Sequence, residues 1–208
     1  MKSLLRTFVI VGAALIAAGL SSCSAVKKAT GGGIYGQDFD PPAKRPSNIA
    51  NVKIKVSTGA QRVYVTEGDK VLLATPCSVG TGGSTGAGTY RIQYKQADRR
   101  RQSEPDRGYP MFYWQEWKSA YGMHWGYVKP HPCTHGCIRL PMKSAAKIFA
   151  MTQVGTPMII ANSHPEDQTI GKTLPVINDG PLPDPPKSYM LSSKFWQDNQ
   201  VRGNLFSN

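Results

Sequence analysis

The chain has 208 residues and a formal net charge of +12, and this length is typical of one modest domain with appendages. Apolar residues at 40% and charged residues at 18% suffice for a hydrophobic core, which excludes a globally disordered chain. Four Cys are too few for a disulfide-rich mini-scaffold, and 21 Gly with 16 Pro disfavour a helical bundle and favour a mostly β protein.

Residues 1–22 have the pattern of an export signal. Lys2 and Arg6 form a basic start, and a short apolar run over residues 8–20 ends just before Cys23. A plain secretory signal does not need that Cys. The pattern resembles a bacterial lipoprotein signal, which implies cleavage before Cys23 and a lipid on its thiol. An ordinary signal peptide or an N-terminal anchor helix is the alternative interpretation.

The compartment and the expected partners follow from this signal. Export places the protein in an oxidising compartment, and the lipid on Cys23 attaches it to the membrane at the periplasmic face of the cell envelope. Ser24 rather than Asp follows the Cys, which by resemblance to known lipoproteins favours the outer membrane. A basic chain is often a nucleic-acid-binding protein. The compartment and the lack of such a motif exclude nucleic acid, so we expect wall carboxylates and anionic lipid headgroups instead.

Composition divides the chain after the signal into three parts. Residues 23–50 are small, polar and rich in Gly and Pro, and they predict a lipidated flexible tether. Residues 51–162 form the globular unit. Residues 163–208 form a Pro-rich polar C-terminal extension, whose role the sequence leaves open, as it does the oligomeric state.

Apolar periodicity within the globular unit predicts a mostly β fold with one packed α-helix and loops rich in Gly and Pro. The helix is expected over residues 143–154, with Gly155 ending it. The Gly-rich loop over residues 80–88 lacks the Gly-Lys-Ser/Thr ending of a phosphate-binding loop. The predicted strands cover residues 52–56, 62–66, 70–79, 89–95, 111–117, 122–125 and 156–161.

Side chains capable of chemistry are concentrated between His124 and Cys137, which enclose three of the four His and two of the four Cys. Gly136 lets the backbone approach a ligand closely, and Arg139 lies on the same face as Cys137 in an extended segment. An imidazole and a cation nearby lower a thiol pKa, so we expect a thiolate. His124 is the natural base for acyl transfer by a Cys–His pair. Metal sites and redox pairs use the same residue types and stay open at this point.

The other Cys and His side chains allow further interpretations. His131, Cys133, His135 and Cys137 stand at alternate positions, as ligands on one face of a strand would. Structural zinc sites more often draw their ligands from separate loops, so we expect no metal and no cofactor. Cys133 either pairs with Cys77 in a disulfide or stays a free thiol, and a bridge between Cys133 and Cys137 would be an oxidative switch.

The segment 134–140 (THGCIRL) resembles the signature of the L,D-transpeptidase catalytic domain, also called the YkuD family. Residues 56–65 resemble the opening strand pair of that family, and residues 122–124 (GMH) resemble its strand that carries the base. The resemblance covers about residues 51–161. It implies a YkuD-like β-sandwich or barrel in which Cys137 is the nucleophile and His124 the general base.

The family mechanism implies a role for each matching residue. Cys137 would attack the carbonyl before the terminal D-Ala of a peptidoglycan stem tetrapeptide, forming a thioester with loss of that D-Ala. His124 would move the proton, with its ring oriented by the backbone carbonyl of Trp125. Backbone N–H groups of Gly136 and Cys137 would stabilise the oxyanion. An amine of a second stem, or of a protein in related members, would then take the acyl group.

Three residues of the signature are implied to bind substrate. Thr134 and His135 would line the donor site, and Arg139 would bind a carboxylate or fix the loop. Trp125 departs from the family, which has a small residue there, and its bulk would reshape the groove. Residues 86–88 lack the family's proline, so that turn would be looser.

Two rival functions remain, together with one open question about a loop. The same Cys–His pair would give an L,D-carboxypeptidase or a wall hydrolase if water took the acyl group, and the fold without catalysis would give a wall-binding lipoprotein. The charged loop over residues 97–108 carries Arg99, Arg100 and Arg101. A solvated loop is the favoured interpretation there, and a flap that touches the stem peptide is the alternative.

Overall fold

The structure is a computed structural model that describes residues 39–180 and 184–207. The predicted signal, the lipidation site at Cys23 and the first part of the tether lie outside the described residues. The strands are β1 Val52–Ser57, β2 Arg62–Glu67, β3 Lys70–Pro76, β4 Gly88–Arg91, β5 Tyr94–Gln96, β6 Trp114–Lys118, β7 Tyr121–Trp125, β8 Ile138–Leu140 and β9 Pro157–Ala161. The α-helices are α1 Met142–Ala150, α2 Lys187–Leu191 and α3 Ser193–Asn199.

The strands form two sheets, which confirms the mostly β fold class. One sheet has the order β3-β2-β1-β9-β4 and the other the order β5-β6-β7-β8. Most neighbours are antiparallel, but β1 pairs with β9 and β7 pairs with β8 in parallel. The parallel pair β7 and β8 sets Met123 opposite Ile138 and His124 opposite Arg139. The predicted base and the predicted nucleophile segment therefore lie on adjacent strands.

Helix α1 is the main helix, and it is three residues shorter than predicted, because it begins one residue earlier and ends four residues earlier. Met142, Ala145 and Ile148 recur at helical spacing and are buried in the core. At its C-terminal end, Lys95 Nζ donates to the carbonyl of Phe149 at 2.7 Å and, just beyond the helix, to that of Thr152 at 2.5 Å. A cation that binds the last carbonyls stabilises a helix end.

Several strand boundaries differ from prediction because the chain changes sheets. The predicted strand 70–79 stops at Pro76, and Ser78 forms a bridge with Arg139 in the second sheet. The predicted strand 89–95 is broken between β4 and β5, which belong to different sheets. Strand β8 was not predicted, because three residues are too few to show an alternating pattern.

Residues 39–50, which the sequence assigned to the flexible tether, lie against the domain in this structure. Asp40 accepts hydrogen bonds from Lys147 at 2.5 Å and Lys143 at 3.1 Å, both on α1. Ala43 is buried, and the backbone N–H of Lys44 donates to Leu72 in β3 at 2.9 Å. Packed chain therefore begins before the predicted boundary at residue 51.

The C-terminal extension also packs on the domain, which no sequence pattern indicated. Phe195 in α3 is only 1% exposed, and its ring lies 5.7 Å from Phe112 and 5.6 Å from Trp125. The backbone N–H of Val201 donates to the hydroxyl of Tyr113 at 2.8 Å. Helix α3 therefore completes the core beneath β7.

None of the helices within residues 39–180 and 184–207 has the length and apolar character that a membrane span requires.

We expect Phe195→Ala to lower the free energy of unfolding by about 3–5 kcal/mol, the usual range for loss of a buried aromatic side chain. Gln197→Ala is the matched control, since Gln197 is exposed on the same helix and should change stability by less than about 0.5 kcal/mol. Chemical denaturation measures both values. Equal stability of the two variants would contradict a structural role for α3.

Candidate active site

One cavity of about 340 Å³ brings the predicted nucleophile and base together. His124 lies in β7 opposite Arg139 of β8, and Cys137 stands two residues before Arg139, so the parallel pairing brings His124 and Cys137 to the same face of the two strands. The cavity is lined by Arg99, Arg101, Gln102, Ser103, Tyr109, Met111, Trp114, Ala120, His124, Thr134, His135, Cys137 and Arg139.

The imidazole of His124 is held in one tautomer by the backbone. Its Nδ1 lies 2.5 Å from the carbonyl oxygen of Trp125. A carbonyl accepts but cannot donate, so Nδ1 carries the proton and Nε2 keeps a free lone pair. The ring is 4% exposed and stacks on Trp114, with centroids 5.5 Å apart. Burial lowers the pKa of His124 to about 4, so the ring is neutral at pH 7.

The thiol of Cys137 is half-buried, and this burial raises its pKa. A hydrogen bond from the Gly122 backbone and the charges of Arg139 and Arg101 act in the opposite direction but are smaller. The expectation of a thiolate is therefore wrong for this structure. Burial disfavours both charged forms, so the cavity holds a neutral thiol and a neutral imidazole at rest.

Thr134 closes the turn that leads into Cys137. Its Oγ1 accepts from the N–H of Gly136 at 3.0 Å and donates to the carbonyl of Cys137 at 2.7 Å. Gly136 has a φ of 136°, and a Cβ there would lie 2.0 Å from the ring of Tyr121. Only glycine fits this position.

The turn is also tied to the Gly-rich loop of the first sheet. Thr85 Oγ1 donates to the carbonyl of Gly136 at 2.8 Å and accepts from the N–H of Gly80 at 2.8 Å. The backbones of Ser78 and Arg139 exchange hydrogen bonds of 3.0 and 2.8 Å. Residues 78–85, which leave β3, therefore hold the whole segment 134–140 in place.

Of the two N–H groups predicted to bind the oxyanion, those of Gly136 and Cys137, one is already engaged within the protein. The N–H of Gly136 donates to Thr134 Oγ1 and is not available to a substrate in this structure. The N–H of Cys137 is the remaining donor of the predicted pair. The contribution of Gly136 visible here is conformational, because its positive φ turns the chain so that Cys137 faces the cavity.

The other predicted residues divide into those that line the cavity and one that does not. His135 is exposed at the cavity, Thr134 is buried there, and Arg139 lines its wall. Trp125 contributes its carbonyl to His124, but its side chain is buried and stacks on Phe112 with centroids 5.3 Å apart. The expectation that Trp125 would reshape the groove is therefore wrong, because the indole points into the core.

The cavity also contains residues that were not among the predicted site residues. Arg99 and Arg101 line its wall, which favours the alternative interpretation of their loop, a flap at the site, over a solvated loop. Trp114 from β6 supports the ring of His124. The run of three arginines at residues 99–101 could have indicated Arg99 and Arg101, because alternate side chains of an extended chain lie on one face.

Cys77, Cys133 and Cys137 are free thiols in this structure. Cys77 is buried, which raises the pKa of its thiol, and no bridge joins it to Cys133. Within residues 39–180 and 184–207, no three His, Cys, Asp or Glu side chains converge as metal ligands. The strand-face arrangement of His131, Cys133 and His135 considered above is thus not present as a ligand cluster in the described chain.

A sequence profile of the L,D-transpeptidase catalytic domain, YkuD, matches residues 51–160, which is more than half of the 208-residue chain. The chain therefore belongs to the family of L,D-transpeptidase catalytic domains, as its signature implied. No curated protein sequence matched the chain.

Solved L,D-transpeptidases are similar to parts of the chain at low identity. The enzyme of Stackebrandtia nassauensis is 22% identical with a TM-score of 0.48, covering 59% of this chain and 60% of that one. The protein of Xylanimonas cellulosilytica is 14% identical with a TM-score of 0.49, covering 56% and 63%. The enzyme of Mycobacterium smegmatis is 22% identical with a TM-score of 0.47, covering 53% and 58%. The chain thus spans about three fifths of the length of these proteins.

We expect the alkylation of Cys137 by iodoacetamide to keep accelerating with pH beyond the ordinary thiol pKa of ~8.5, because burial raises the pKa of Cys137 and only the thiolate reacts. Arg139→Gln should slow alkylation further at a given pH, since the charge of Arg139 lowers that pKa. Peptide mass mapping follows Cys137 alone, with a Cys-containing peptide as reference. A rate that is already constant at pH 7 would contradict the neutral pair.

Proposed function

We propose that the protein is a cysteine-dependent L,D-transpeptidase that acts on peptidoglycan stem peptides. The observation that carries this proposal is the shared cavity of Cys137 and His124, in which the Trp125 carbonyl leaves Nε2 of His124 free to accept a proton. Family membership over residues 51–160 supports the same chemistry. Peptidoglycan is the substrate class of that chemistry, and the function of the chain is cell wall cross-linking or the anchoring of protein to the wall.

The neutral resting pair favours general-base catalysis. His124 Nε2 accepts the thiol proton while Cys137 Sγ attacks the carbonyl between the third residue and the terminal D-Ala. The tetrahedral intermediate collapses when the C–N bond breaks and His124 gives the proton to the departing D-Ala amine. A thioester on Cys137 remains.

The second half of the reaction reverses these roles. An amine of a second stem attacks the thioester carbonyl, and His124 accepts the amine proton. The C–S bond then breaks, and the proton returns to Cys137 Sγ. The N–H of Cys137 stabilises the oxyanion in both halves, a contribution of about 2.7–4 kcal/mol for one such donor.

The first experiment is intact-protein mass spectrometry after incubation with a carbapenem, a strained acyl donor of the class that acylates this family. We expect one carbapenem per protein in the wild type and in Cys133→Ala, and none in Cys137→Ala. Cys133→Ala is the matched control because it removes a neighbouring half-buried thiol. An unmodified wild-type protein in reducing buffer would overturn the proposal.

Product analysis then separates transfer from hydrolysis. The enzyme is incubated with a stem tetrapeptide, once alone and once with a second stem peptide as amine donor. Mass spectrometry then identifies the products. We expect a dimer with loss of one D-Ala. A tripeptide as the sole product would instead identify an L,D-carboxypeptidase with the same Cys–His pair.

We further propose that the enzyme is a lipoprotein that works at the periplasmic face of the envelope, more specifically on the outer membrane. The support is the sequence pattern of residues 1–22, with Cys23 and Ser24 following it. We expect Cys23→Ser to release the protein from the membrane fraction, because serine lacks the thiol that would carry the lipid. Cys77→Ser is the control that keeps the signal intact. Membrane retention of Cys23→Ser would contradict lipid anchoring.

A further inference from the structure

We propose that Arg99 and Arg101, together with Arg139, form a carboxylate-binding subsite for the acyl donor, an inference that rests on the proposed function. All three guanidinium groups belong to residues that line the cavity of Cys137 and His124. Among the residues that line this cavity there is no Asp or Glu. The walls of the cavity therefore carry a net positive charge, whereas the two groups of the proposed reaction centre, Cys137 and His124, are neutral.

Within the described part of the chain, Arg99 and Arg139 have no anionic partner. Neither Arg99 nor Arg139 forms an ion pair with a carboxylate of residues 39–180 or 184–207. The Nε of Arg99 is buried without a hydrogen-bond partner in that part of the chain, and its Nη1 is 3.5 Å from the side-chain oxygen of Gln96. A buried guanidinium donor without an acceptor is costly unless a ligand supplies one.

Arg101 is only loosely neutralised. It lies 3.3 Å from a carboxylate oxygen of Asp106, whose side chain is 54% exposed. An exposed ion pair of this kind contributes little, so a better-placed carboxylate can replace Asp106. The planar fork of an arginine binds a carboxylate through two parallel hydrogen bonds, which lysine cannot do.

Contacts of Arg100 on the side away from the cavity determine the direction of Arg99 and Arg101. In the extended segment around Arg100, neighbouring side chains point to opposite faces. Arg100 points away from the cavity and donates to the carbonyls of Met190 at 2.9 Å and Ser192 at 3.2 Å. The C-terminal extension thus holds Arg100, and alternation directs Arg99 and Arg101 towards the cavity.

An alternative role for these arginines is to favour the thiolate. The charges of Arg139 and Arg101 do lower the pKa of Cys137, whereas Arg99 is not among the groups that act on it. Arg99 therefore separates the two roles. A change in substrate affinity without a change in thiol reactivity identifies binding of the donor carboxylate.

The test measures steady-state kinetics of the full chain with three synthetic stem tetrapeptides. One has all carboxylates free, one has the terminal carboxylate amidated, and one has the carboxylates before the scissile bond amidated. For the free peptide we expect Arg99→Gln to raise KM by about 10- to 100-fold with little change in kcat, since charge-assisted hydrogen bonds are lost. The amidated peptide on which wild type and Arg99→Gln become equal identifies the carboxylate that is bound.

Three controls make the outcome decisive. Arg107→Gln changes an exposed arginine of the same loop that pairs with Glu104 and does not line the cavity, so it should leave KM unchanged. Arg99→Lys keeps the charge but not the fork and should recover only part of the affinity. The rate of Cys137 alkylation in Arg99→Gln should equal that of the wild type.

The failures of the two proposals are distinguishable. If the wild type converts none of the peptides and takes up no carbapenem, the proposed function falls. If the wild type converts all three peptides with the same KM, or if Arg99→Gln leaves KM for the free peptide unchanged, the subsite is overturned and the transpeptidase reaction stands. A slower alkylation of Cys137 in Arg99→Gln would assign the arginine to thiol activation instead.

Discussion

The parallel pairing of β7 with β8 is the constraint on which the site depends. It places His124 opposite Arg139, so the turn just before β8 has to bring Cys137, two residues before Arg139, to the same face of the strands. That turn is possible only because Gly136 takes a positive φ against the ring of Tyr121, while Thr134 closes it from within. Backbone pairing and one glycine therefore set the position of the Cys137 thiol, and the backbone of Gly122 contacts the thiol itself.

Burial then determines the protonation states of the pair. Because both groups lose hydration, the thiol keeps its proton and the imidazole lacks a second one. The Trp125 carbonyl contributes what a carboxylate supplies in other catalytic triads, a fixed acceptor for Nδ1, but without adding a charge that would favour imidazolium. These protonation states suit the proposed role of His124 as a general base, because the proton would move during the reaction and no thiolate would be held beforehand.

The sequence predicted the local parts of this site and missed the long-range ones. Cys137, His124 and the mostly β class could be inferred because they depend on a short signature and on alternating apolar residues. Strand β8 could not be predicted, because three residues are too few to show the alternation of apolar and polar side chains that marks a strand. The docking of Phe195 and the inward direction of Arg99 depend on contacts between segments about 90 residues apart, such as Arg100 with Met190. Neither local propensity nor periodicity contains such information.

The C-terminal extension connects these features. Phe195 packs under Trp125, whose carbonyl orients the base, and the backbone of the same extension anchors Arg100 between the two arginines of the cavity. A donor carboxylate bound by Arg101 and Arg139 would offset the very charges that lower the thiol pKa. Substrate binding would then reinforce the neutral thiol and leave His124 as the acceptor of its proton. The arginines of the cavity are therefore compatible with the proposed general-base catalysis, because a bound donor carboxylate would neutralise their charge.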